Sequence, residues 1–199
     1  RLTLEYYLDD KDLQAAMKSI AAWNGSKIAL FVAQFKDFFD KKGADWGAVE
    51  DLVREISKSG HADAVLDGIA EIFNELEEVL MESPKADGFL AGILAHPLAD
   101  GTIKLSDVAN ALESAKSDDQ DKEETPLQLG LCLPLLCKLL TRVSQVEIED
   151  SIKADANHLV EEAHLDLLKF VADFDDDKEA ALAKEINRHE GLKAILDGE

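Results

Sequence analysis

The sequence predicts an all-α protein built of antiparallel helical hairpins stacked side by side. Three observations lead there. Apolar residues recur at i, i+3, i+4 and i+7 along most of the chain, the spacing of one buried helix face. Only 11 glycines and 4 prolines interrupt 199 residues, too few for a turn-rich β architecture. Strand-like alternation is nearly absent, with Ile103 and Leu105 its only short hint.

In chain order, a helix is expected near Leu2–Leu8, and Asp9-Asp10 separates it from a second near Lys11–Trp23. Asn24-Gly25-Ser26 ends that helix, and Ser26 is placed to cap the next. Ile28, Phe31, Val32, Phe35, Phe38 and Phe39 form the buried face of the third. Val49, Leu52, Val53 and Ile56 repeat the pattern, and Gly43 and Gly60 sit just past helix ends. Val65, Leu66, Ile69, Phe73, Leu76 and Leu80 then read as one long face. Ser83-Pro84 reads as an N-cap followed by a first-turn proline, with Pro97 and Gly101 closing that helix. Ser106 is expected to cap a short helix reaching about Ser114.

Lys116–Glu124 has no apolar side chain and marks a linker or long loop. Pro126–Val143 is apolar all round, as a buried helix is, and Pro134 should break or kink it near Leu133. Two more helices are expected near Ala156–Asp173 and Asp177–Leu196. The organisation expected is a helical domain over 1–115, an acidic linker or loop over 116–125, and a helical extension over 126–199 packed on the first. No repeat of fixed period is visible.

Composition narrows the function. Forty-two acids against 21 bases give a net charge of −21. That argues against wrapping nucleic acid, where each phosphate contact needs Lys or Arg, and against docking on an anionic membrane. A basic protein is the natural complement. The longest apolar run, Leu127–Leu140, is interrupted and short of the roughly 20 residues of a membrane span. A chain that starts at Arg1 is expected to be a fragment.

Chemical constellations are sparse. Cys132 and Cys137 are five apart, neither CxxC nor a zinc spacing, and read as buried reduced thiols. His158 and His164 are six apart, which puts them off one helix face and argues against a metal site. Asp173, Asp175, Asp176 and Asp177 resemble the start of a calcium loop, but lysines fill its glycine and closing-glutamate positions. Asp177 reads instead as a helix cap. No nucleophile motif, phosphate loop or dinucleotide fingerprint is present, so no enzyme, metal or cofactor is expected. A hydrolase with a carboxylate site is the alternative from another class, and no motif supports it.

One stretch is electrostatically costly. From Glu71 to Pro84 there are five acids and no base. Glu71/Glu75, Glu75/Glu78 and Glu78/Glu82 are like-charge pairs, each destabilising by about 0.2–0.5 kcal/mol. Glu78 and Glu82 are read as lying at a helix C-terminal end, where the dipole disfavours anions. A solvated acidic face is the plain explanation.

Several short matches, in order, give a resemblance. Leu4-Glu5-Tyr6-Tyr7-Leu8 followed by Asp9–Lys18 looks like the start of an MA-3 domain. Pro84–Val108, with its His96-Pro97-Leu98 turn, is similar to that family's central segment. Leu131–Leu140 and the tail from Lys178 resemble the helices that follow this domain in initiation factor 4G-like proteins, a family that includes the death-associated 4G homologue. The resemblance implies a HEAT-like all-α fold and a cytoplasmic scaffold of translation initiation. It implies binding to the DEAD-box RNA helicase initiation factor 4A, with other initiation factors held elsewhere on the full-length chain. Glu82-Ser83-Pro84 matches the family's acidic-x-Pro contact turn, with Glu for Asp and Ser for a branched apolar residue. Glu78 matches the preceding acidic contact and Lys85 the residue after the proline. The alternatives within the family are an inhibitory MA-3 protein of the programmed-cell-death type, which blocks the helicase, and an MA-3 scaffold of splicing or ribosome biogenesis.

Overall fold

The computed structural model describes residues 3–116, 124–149 and 152–197. It is all-α apart from one small hairpin. The helices are α1 (Leu4–Asp10), α2 (Leu13–Ile20), α3 (Gly25–Ala33), α4 (Trp46–Ile56), α5 (Ala62–Asn74), α6 (Leu76–Glu82) and α7 (Ala86–Ala99). They continue as α8 (Leu105–Glu113), α9 (Cys132–Val143), α10 (Ala156–Glu162), α11 (Lys178–Arg188) and α12 (Leu192–Asp197). Strands β1 (Glu147–Glu149) and β2 (Ile152–Lys153) pair antiparallel between α9 and α10. No helix among the described residues is long and apolar enough to cross a membrane.

The helices alternate between two layers. α2, α4, α7 and α9 pack one against the next, and α3, α5 and α8 do the same beside them. One contiguous apolar core runs from Leu4 to Leu192. Phe35, Phe73 and Phe170 are its largest fully buried side chains. Each contributes about 1.5–3 kcal/mol by leaving water. α7 lies between α4 and α9, so it is buried nearly all round, and small residues such as Ala91, Gly92 and Ala95 let its neighbours close in.

Aspartate and asparagine caps set the helix starts. Asp12, Asp45, Asp155 and Asp177 each accept a hydrogen bond from the backbone N–H three residues on. α3 is capped by Asn24, whose side chain accepts from Lys27 N, and not by Ser26. Gly43 and Gly60 adopt φ of 78° and 90°, the left-handed turns their positions suggest. α8 starts one residue before Ser106, which therefore caps nothing.

Other expectations need correction. Pro134 does not break a helix, because α9 begins only at Cys132 and the proline falls in its first turn. The preceding residues form a turn that Gly130 ends at φ 73°. α7 runs through Pro97 to Ala99 and stops before Gly101. The Pro97 carbonyl accepts from Thr102 N and Ile103 N, which closes the turn. The helix expected over Ala156–Asp173 ends at Glu162, since His164 takes φ 48°, and Leu167–Phe170 resumes as 3-10 turns. Gly191 likewise divides α11 from α12. Within the acidic linker, 117–123 lie outside the described residues.

Four ion pairs tie α4, α7 and α9 together within their layer. Arg54 of α4 grips Asp100 bidentately, at 2.7 and 3.0 Å. Lys58 adds a third contact at 3.2 Å. From α9, Lys138 reaches Asp87 of α7, and Arg142 reaches Glu50 of α4 at 3.2 Å.

Candidate partner-binding surface

The costly acidic stretch folds differently from a single helix. The backbone breaks at Glu75, at φ −105° and ψ 16°, so α5 ends at Asn74 and α6 starts at Leu76. Leu76 and Val79 stay buried across the break, which keeps the apolar face in phase. Glu75 turns inward enough to pair with Lys36. Glu77 and Glu78 now lie in the first turn of α6, where the dipole favours carboxylates. Of the two acids read at a C-terminal end, Glu82 stays at one, and Glu75 becomes the C-cap of α5. The expected strain is thus partly relieved.

The structure brings the four residues singled out by resemblance to one exposed edge. Glu78 and Glu82 are exposed, one helical turn apart on α6, and Pro84 and Lys85 are exposed in the turn that follows. Sequence reasoning passed over Met81. It is 75% exposed and stands one turn on from Glu78, at its i+3 position. The surface therefore offers two carboxylates around an apolar, adaptable thioether.

The turn itself is held from below. Ser83 is not an N-cap; it is buried, and its hydroxyl donates to Phe39 O at 3.3 Å. Its N–H donates to Val79 O and its carbonyl accepts from Ala86 N, both at 2.9 Å. Phe39 in turn stacks on Phe89 of the first α7 turn at 5.8 Å between ring centroids. Trp46 closes the group at 5.1 Å from Phe39 and 4.6 Å from Phe89. Asp87, two residues past Lys85, is tied to α9 through Lys138. A surface built this way is fixed before any partner arrives. Ser83→Ala is expected to lower stability by about 1 kcal/mol, one buried hydrogen bond, measurable by urea denaturation.

The remaining reactive groups lie elsewhere. Cys132 and Cys137 are buried, and burial pushes both thiols up to about 12, which leaves them protonated and unreactive. His158 and His164 are exposed and outside the core. Asp173 pairs with Lys178, and Asp177 caps α11, so that acidic run serves a helix start. Among the described residues no three His, Cys, Asp or Glu side chains converge as a metal site. The chemistry on offer at the α6 edge is recognition of a cationic, partly apolar surface.

No family model, curated protein or solved structure matches this chain.

Proposed function

We propose that the protein is a scaffold module of translation initiation, similar to the MA-3 domain of initiation factor 4G-like proteins, and that its α6 edge binds a DEAD-box RNA helicase of the initiation factor 4A type. The observation that carries the reading is the joint exposure of Glu78, Glu82, Pro84 and Lys85 beside a turn anchored at Ser83. The two-layer alternation of helices supports the HEAT-like part of it. Glu78 and Glu82 meet Arg or Lys on the helicase, and the anchored turn saves the entropy of ordering a loop. A modest contact is enough where a second helicase site on the same full-length scaffold raises the effective concentration.

Titration calorimetry with the helicase tests this. Glu78→Lys combined with Glu82→Lys is expected to weaken binding at least tenfold, about 1.4 kcal/mol, because two attractions become repulsions. Equal binding by parent and variant places the contact elsewhere. In an unwinding assay the scaffold reading expects stimulation. Inhibition would favour the helicase-blocking relatives instead.

A further inference from the structure

A second surface lies along α1, α2 and the first turns of α3, and shares no residue with the α6 edge. α1 and α2 leave a cleft between them. At one end Tyr6 and Asp10 of α1 face Asp12 and Ala15 of α2 across a depression of about 310 Å³. Ser19 continues it into a second depression of about 240 Å³, bounded by Thr3, Trp23, Lys27 and Leu30. The cleft thus follows α2 from its cap past its end. Eight residues at 1.5 Å each, plus the step to α3, make room for about three turns of helix.

Its chemistry is that of a helix acceptor. Tyr6 is 57% exposed and Leu30 63% exposed, two large apolar groups at opposite ends of the cleft. Leu30 stands mid-helix on α3, where a solvated face would carry a polar residue. The α2 wall is Ala15 and Ser19, small enough for another backbone to come close. The charges differ between the ends. Asp10 and Asp12 lie beside Tyr6, whereas Lys27 lies over the Trp23 ring at 4.4 Å, beside Leu30. A helix laid in this cleft with its N-terminus at the aspartates and its C-terminus at Lys27 has both dipole ends matched.

We propose that this cleft binds an amphipathic helix of a partner protein, with basic residues in its first turn against Asp10 and Asp12 and acidic residues in its last turn against Lys27. Leucines along one face of that helix cover Leu30 and Tyr6, the helix-in-groove mode of recognition. The site is separate from the α6 edge, and its occupant need not be the helicase.

The probe is a synthetic helical peptide of about three to four turns. It carries leucines on one face, two arginines in the first turn and two glutamates in the last, and a fluorophore for anisotropy. A second peptide has the same leucines and the charges exchanged end for end. The full chain is expected to bind the first peptide at least five times more tightly than the second. Leu30→Glu is expected to weaken binding of the first peptide at least tenfold, with unchanged helical circular dichroism, since the residue is exposed. Glu78→Lys with Glu82→Lys should leave this binding unaltered. The proposal is overturned if the first peptide does not bind, if the two peptides bind equally, or if Leu30→Glu changes nothing.

Discussion

Replacing Gly68 by alanine is expected to destabilise the protein by about 2–3 kcal/mol. Alanine is the better helix former by about 1 kcal/mol, so propensity alone predicts a gain. Packing decides otherwise. A methyl group at Gly68 of α5 would sit 2.5 Å from the Ala29 carbonyl oxygen and 2.7 Å from Val32 Cβ, both on α3. The first of these is backbone within a helix, which cannot swing aside as a long side chain can. α3 and α5 must separate, and Ala29 and Val32 lose contacts at the seam. The midpoint of thermal unfolding should fall by about 4–12 °C for a chain this size. Gly88 is the control. Nothing lies within 4 Å of a methyl group there, so Gly88→Ala should leave the midpoint unchanged or raise it. Equal midpoints for both variants would mean that the α3–α5 seam is looser than its geometry implies.

Asp100→Asn carries the second large effect, a loss of about 2 kcal/mol near neutral pH. The amide keeps the shape of the carboxylate but removes the charge that Arg54 and Lys58 share, leaving the half-buried Arg54 guanidinium beside the exposed Lys58 with no anion between them. Burial of the Asp100 carboxyl works to raise its pKa, but the hydrogen bonds from Arg54 and then Lys58 outweigh it and hold the group below its ordinary 3.8. The folded state therefore favours the ionised form more than the unfolded chain does. This stability is fully present above pH 3.8 and is lost as pH falls through the depressed folded value. Urea denaturation of parent and variant should give curves well separated at pH 7 that converge in strong acid. His96 acts earlier in the same direction. Burial and then Arg54 push its imidazole below 6.5, so the unfolded chain takes up that proton first and stability already declines below pH 6.5. A gap between parent and Asp100→Asn that persists unchanged in strong acid would show that the carboxylate is not what joins α4 to the end of α7.

Local rules read most of the helices. Periodicity finds the faces of α3, α4 and α5 because each buries one stripe against the neighbouring helix in its layer. Asp177 and Gly60 are legible because capping and left-handed φ depend on one residue and its nearest neighbours. The break at Glu75 is not legible, since Phe73, Leu76 and Val79 keep their apolar phase through it. Pro134 misleads because its effect depends on where the helix begins, and Gly130 sets that beginning. At the candidate surface, the exposed acids follow from charge pattern and resemblance. Ser83 does not: its hydrogen bond reaches Phe39, 44 residues back, and no local signal marks such a partner. Met81 was within reach, because it stands at the i+3 position from Glu78, but an apolar residue beside Leu80 is normally assigned to the core.

The aromatic group beneath the Ser83 turn also makes the protein its own optical instrument. The chain has two tryptophans. Trp46 stacks on Phe89 and lies tilted against Phe39 under the α6 edge, in a dry setting that favours blue-shifted emission. Trp23 is half-buried beneath Lys27 at the mouth of the α1–α2 cleft, where added cover would dry it and quenchers in water would otherwise reach it. Each indole thus watches one surface. A Trp23→Phe chain reports spectrally on the turn, a Trp46→Phe chain reports on the cleft, and neither needs a label attached to the face being watched.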